Sequence, residues 1–161
     1  AALLPDDGRP VVLLGHSLGG PVVARVAAEH PGRVTGLVLL AASLDPALEK
    51  IHPLQRLGAA ALVRGMLPRA IRNANAELMA LEPELRSLAP MLAGSRARVV
   101  IVHGTHDDLV PVENVAFMQA RLSGARCVDT VLLDGRNHFL PWNSAPDVRA
   151  AVALSLRAGC P

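Results

Sequence analysis

Apolar residues in this chain fall into short continuous runs separated by longer stretches of helical period. Residues 11–16 (VVLLGH) follow Gly8 and Pro10. A short β-branched and Leu-rich run of this kind suits a strand buried on both faces of a parallel sheet. The period changes over residues 18–29, where Leu18, Val22, Val26 and Glu29 recur at helical spacing until His-Pro-Gly at 30–32 stops the helix. A second apolar run, VTGLVLLAAS at 34–43, completes a strand–helix–strand unit. Further along, the pattern predicts a third strand at 97–105 (ARVVIVHGT), a helix at 112–124 closed by Gly124, a fourth strand at 125–135 (ARCVDTVLLDG) and a last helix at 144–159. Ser144 and Asp147 have the spacing of a capping box, Pro146 sits in the first turn and Gly159 is placed to stop the helix.

Residues 45–95 break this alternation. They are Ala- and Leu-rich and punctuated by Pro46, Pro53, Pro68, Pro83 and Pro90. The pattern predicts three short helices, roughly 46–66, 69–81 and 83–93. A segment this long is not a loop within an α/β alternation, so it reads as an inserted helical cap on a single domain spanning 1–161. Its apolar residues Leu57, Leu62, Met66, Leu67, Leu78, Met79 and Leu81 are expected mainly to pack between cap and sheet, with a few lining a pocket.

Composition narrows the functional classes. Of the 161 residues, 51% are hydrophobic and 19% charged, the balance of a packed globular domain rather than a disordered chain. The net charge is only +2, the arginines are scattered and aromatics make up 2%. A nucleic-acid footprint needs clustered positive charge and preferably stacking aromatics, so no nucleic-acid partner is expected. No apolar run reaches the roughly 18 residues of a membrane span. Cys127 and Cys160 suggest neither a disulfide framework nor a metal-ligand spacing. Cys127, inside a strand-like run, reads as a small core residue, and a reducing, cytoplasmic location follows as an expectation.

The chemistry concentrates at strand ends. GHSLGG at 15–20 fits G-x-S-x-G, with Ser17 on a tight turn between strand and helix and Gly15 and Gly19 leaving room for the chain to reverse. The N-terminus of the following helix would favour developing negative charge, and the Leu18 N–H would be one oxyanion donor. A serine needs a base, and the base an orienting carboxylate. The third strand runs into HGTHDDLVP, offering Asp107 or Asp108; the fourth runs into DGRNHFLPW, offering His138. Asp45, after the second strand, is a further acid candidate, whereas Asp129 lies mid-strand and Asp134 reads as a turn former. His103, His106 and Asp107 cluster in sequence, but no second ligand set accompanies them and no metal is expected.

In GHSLGG, HGTHDDLVP and GRNHFLP, in that order, the chain resembles the α/β-hydrolase superfamily, in its serine-nucleophile, esterase- and lipase-like branch. The resemblance runs over essentially the whole chain and implies an α/β fold, with a parallel sheet of about four strands, flanking helices and the helical cap. It selects Asp107, three residues after Gly104, as the acid of a Ser17–Asp107–His138 triad. It implies acyl transfer through an acyl-enzyme, with a small ester-like substrate and no cofactor. Val110, Phe139 and Trp142 flank the triad in sequence and are candidate pocket residues. In that family the nucleophile strand is typically the fifth, yet only ten residues precede it here. The expectation is therefore the C-terminal part of a longer fold, lacking the neighbouring strand and the loop that supplies a second oxyanion N–H. The alternative is a non-catalytic or split-fold piece that pairs with an N-terminal half or with itself through an open apolar strand edge.

Overall fold

The computed structural model describes residues 7–49 and 68–160. Strands β1 (Val11–His16), β2 (Val34–Leu40), β3 (Arg98–Gly104) and β4 (Cys127–Leu133) form one sheet in the order β1-β2-β3-β4. Every neighbouring pair is parallel. All four strands therefore deliver their carboxyl ends to one edge of the sheet, the edge at which parallel α/β sheets place their sites.

Strand periodicity divides the core into two layers. Leu37 and Leu39 of β2 and Val99 and Ile101 of β3 face one cluster. The residues between them, Val38, Leu40, Val100 and Val102, face the other. Each inner strand is apolar on both faces because helices cover both. Helices α1 (Gly19–Glu29), α2 (Arg69–Leu88) and α3 (Asn114–Arg121), with a 3-10 helix at Ala89–Gly94, lie on the first side. The four-residue helix α4 (Leu140–Asn143) and α5 (Ala145–Ser155) close the second.

Several expectations change in the structure. β1 is not buried on both faces: it is the outermost strand of the described sheet, and Leu14 is 42% exposed. The Leu18, Val22, Val26 spacing does not mark the buried face of helix α1: Val22 is 63% exposed and Val26 only partly buried against the core, and the buried positions are Gly20, Ala24 and Ala27. Small side chains at this spacing let the helix axis approach the sheet closely. The predicted break at Pro83 does not occur either, for α2 runs through it. An interior proline costs about 3 kcal/mol, but α2 buries Leu81, Leu85 and Leu88 on one face, each giving about 2 kcal/mol, and the Arg86–Glu82 pair bridges one turn on the exposed face. The helix expected at 46–66 lies largely outside the described residues, as do Leu57, Leu62, Met66 and Leu67. At α5, Ser144 makes no side-chain cap; its Oγ donates to Asn143 Oδ1 instead, and the helix ends at Ser155, before Gly159. Among the described residues no helix is long and apolar enough to cross a membrane.

Cys127 and Cys160 form a disulfide, which corrects the reading of Cys127 as an unpaired core residue. The two are 33 residues apart, and the pairing is invisible until the tail after α5 folds back to the amino end of β4. The tail is held there by Arg98 as well: its side chain is 2% exposed, pairs with Asp129 at 2.8 Å and donates Nη1 to the Gly159 carbonyl. The inference of a reducing compartment rested on unpaired cysteines and loses that support, since disulfides persist in oxidising surroundings. Closing a loop of this length stabilises by about 3–4 kcal/mol in the chain-entropy view. Cys160→Ser is accordingly expected to lower the thermal midpoint by about 10 °C. A thiol titration of the unreduced, denatured protein checks the premise: two reactive thiols would refute the bond.

Candidate active site

Ser17 occupies the turn between β1 and α1 with φ 54°, the left-handed region that costs a non-glycine residue about 1–3 kcal/mol. Two hydrogen bonds hold it there: its N–H donates to the Leu40 carbonyl (3.0 Å) and its own carbonyl accepts from Gly20 N–H (2.9 Å). The glycines around it are not equivalent. A Cβ on Gly15 would collide with the Gly19 carbonyl and Val23, and one on Gly20 with the Cβ of Ala42 at the end of β2. At Gly19, by contrast, no described atom lies within 4 Å of such a Cβ, and φ is not positive. Close packing at the turn thus depends on Gly15 and Gly20 rather than on the motif pair Gly15 and Gly19. In urea denaturation, Gly20→Ala is expected to lose about 1–3 kcal/mol through overpacking. Gly19→Ala is expected to be neutral or to gain up to about 1 kcal/mol from helix propensity. Equal losses at both would contradict this account.

Asp107 lies in the turn after β3 with its side chain wholly buried. Its Oδ1 accepts the backbone N–H groups of Leu109 (3.0 Å) and Val110 (2.8 Å). Its Oδ2 is 2.8 Å from His138 Nδ1, after β4. A carboxylate only accepts, so Nδ1 carries the proton and Nε2 of a neutral His138 is left with a lone pair. The His138 carbonyl in turn accepts the Nε2–H of His16 (2.8 Å), and the two rings lie 4.7 Å apart, so the last residue of β1 fixes the histidine turn. The other acid candidates stand elsewhere. Asp45 Oδ1 accepts Ala47 N–H, Asp129 pairs with Arg98, Asp134 accepts from Thr105, and Asp108 is exposed.

His103 does not join His106 as a ligand set: it is buried in β3, while His106 is exposed in the loop. Among the described residues no three such side chains converge on a metal position. Burial pushes the His103 imidazole below its ordinary range, against the opposing pull of its bond to Val110 and the charge of Asp107.

Ser17, Leu18, His138 and Val110 border one cavity of about 240 Å³, together with Ser43, Glu49, Leu78, Leu81 and Leu109. Phe139 and Trp142 do not line it. They are 52% and 74% exposed and stack edge-on around His138 and His16. Sequence reasoning did not single out Ser43 or Glu49; both follow the carboxyl end of β2, and that position was the available signal. Asn114, also missed, is fully buried and ties two of the site's loops together: Oδ1 accepts the N–H of Leu44 and Asp45, and Nδ2 donates to the Pro111 carbonyl.

The chain is similar to several known proteins. A model of the Hydrolase_4 family, described as "Serine aminopeptidase, S33", matches residues 2–90. Lipase LipV of Mycobacterium tuberculosis is 51% identical over 49 residues, which are 30% of this chain and 17% of that protein. A monoacylglycerol lipase of Mycolicibacterium smegmatis is 26% identical over 143 residues, covering 71% of this chain and 50% of that one. The chain thus spans half or less of the length of these curated relatives. Among solved structures, a monoacylglycerol lipase of Paleococcus ferrophilus superposes with a TM-score of 0.69 over 95% of this chain and 70% of that one, at 19% identity. At that identity the likeness is one of fold.

Proposed function

Because the chain belongs to the serine aminopeptidase (Hydrolase_4) family of α/β-hydrolases, we propose that it carries the nucleophile, base and acid of a serine hydrolase acting on carboxylic esters or related acyl substrates. The observation that carries this reading is the Asp107–His138 hydrogen bond at the rim of the cavity that also exposes Ser17. His138 Nε2 takes the Ser17 hydroxyl proton as Oγ bonds to the substrate carbonyl carbon. The resulting oxyanion faces the Leu18 N–H and the start of α1. As the tetrahedral adduct collapses, the C–O bond to the leaving group breaks and His138 returns the proton to the departing oxygen. Water then repeats the sequence on the acyl-enzyme, releasing the acid and restoring Ser17. Asp107 stays ionised throughout, holding the tautomer and stabilising the imidazolium.

Leu18, Leu78, Leu81, Leu109 and Val110 give the cavity an apolar wall suited to an acyl chain. In this reading the segment about 45–95 is the cap, contributing Leu78 and Leu81 from α2. The lipase names of the relatives support ester substrates over peptides. The test is a fluorophosphonate probe on the folded protein. Covalent labelling that disappears in Ser17→Ala is expected; a folded sample that takes no label overturns the proposal.

A further inference from the structure

His103 is a buried titratable group to which the acyl-transfer steps give no task. It is fully buried in β3, one residue before Gly104. Its Nε2 lies 3.0 Å from the Val110 carbonyl, which can only accept, so Nε2 carries the proton. The Nδ1 acceptor has no hydrogen-bond partner, the one buried side-chain polar atom so placed among the described residues. An unsatisfied buried acceptor is destabilising, and an apolar side chain at this position would avoid it. What the imidazole provides in exchange is a bond to the turn that carries the acid. Asp107 Oδ1 grips the N–H groups of Leu109 and Val110, and His103 grips the carbonyl of Val110. The Val110 backbone is thus held at both its N–H and its carbonyl, and Asp107 Oδ2 is left facing His138 Nδ1.

We propose that His103 is a positioning residue for the Asp107–His138 pair, acting as a neutral Nε2–H imidazole that pins the Val110 carbonyl and so fixes the turn whose amides aim the Asp107 carboxylate. Its functional meaning rests on the hydrolase reading above. Neutrality is part of the role. His103 Nε2 is also 3.6 Å from Asp107 Oδ2. A charged His103 would compete with His138 for that carboxylate. The ionisable groups whose charge acts on His103 are Asp107, His138 and Glu113; the two acids favour its protonation, and burial opposes them and prevails.

The test is imidazole nitrogen and proton NMR on the chain itself between about pH 5 and pH 8, the range in which free histidine titrates. His103 is expected to be the neutral Nε2–H tautomer at the upper end of this range and to take up a proton only at lower pH than free histidine. His138 is expected to show a downfield, exchange-protected Nδ1–H. That signal should persist in His103→Gln, whose amide can still donate to Val110, and should broaden away in His103→Leu at unchanged far-ultraviolet circular dichroism. Persistence of the signal in folded His103→Leu, or its loss in folded His103→Gln, overturns the proposal. If neither variant folds, the wild-type spectrum decides: an Nδ1–H tautomer at His103, or an imidazolium that persists at or above the pH where free histidine titrates, overturns it. Ser17 labelling by fluorophosphonate is run in parallel. An unreactive Ser17 with the expected imidazole spectra would sink the hydrolase reading and leave the positioning role standing.

Discussion

Ester turnover is expected to fall by about 10⁶-fold in Ser17→Ala, with the binding of apolar esters nearly unchanged. The substitution removes the attacking oxygen and nothing else of consequence. The turn at Ser17 is held by its backbone, through Leu40 and Gly20, and alanine keeps both bonds. Alanine tolerates φ 54° no better than serine, so stability should shift by well under 1 kcal/mol. The residual rate comes from the cavity and the Leu18 N–H acting on water attack. Steady-state kinetics on a medium-chain ester checks this. A loss of only tenfold would mean that Ser17 is not the nucleophile.

Asp107→Asn is expected to cost about 10⁴-fold, for a different reason. The asparagine Oδ1 can still accept from Leu109 and Val110, so the turn survives. The amide Nδ2, however, donates where the carboxylate oxygen accepted. It would face His138 Nδ1, which must then give up its proton and hold a lone pair toward residue 107. The proton moves to Nε2, the atom needed as the base, and the imidazole can no longer take the Ser17 proton. Asp107→Ala separates the two roles, since it also deprives the Leu109 and Val110 amides of their acceptor and should lower stability along with the rate. Undiminished turnover in Asp107→Asn would transfer the acid role to another carboxylate, and Asp45 at the end of the β2 loop is the next to test.

The inner strands were legible because inner strands of a parallel sheet are apolar on both faces, which the runs at 34–43 and 97–105 declare directly, while the outer strands β1 and β4 are only partly buried and show as the runs at 11–16 and 125–135. The first strand has the expected bounds, whereas the ends of β2, β3 and β4 were overrun by one to three residues, as at Ala41–Ser43, where the apolar run continues past the last ladder bond. The helices were harder to read. The fully buried positions of α1 are Gly20, Ala24 and Ala27, with Val23 and Val26 only partly buried beside them, so the larger apolar residues do not mark its innermost face. The continuity of α2 through Pro83 depends on the burial of leucines beneath it, a tertiary term absent from local preference. At the site, motif spacing placed Ser17, Asp107 and His138 after three strands, β1, β3 and β4, and the parallel topology brings those ends to one edge. What spacing could not convey was contact between distant segments: Asn114 bracing the β2 loop, His16 beneath His138, and Cys127 with Cys160.

That last bond changes the topology of the part of the molecule that carries His138. Residues 127–160 form a covalent ring, closed on one side by backbone and on the other by sulfur, with β4, α4 and α5 all inside it. A single backbone cut at the exposed turn around residues 134–137 would open the ring without releasing a piece. The histidine side would stay tethered through its tail to Cys127, the first residue of β4, and only cutting the sulfur link as well would let the two halves part. The loop bearing His138 can therefore be nicked and still be tethered by its own anchor, which the loops bearing Ser17 and Asp107, enclosed by no such ring, lack.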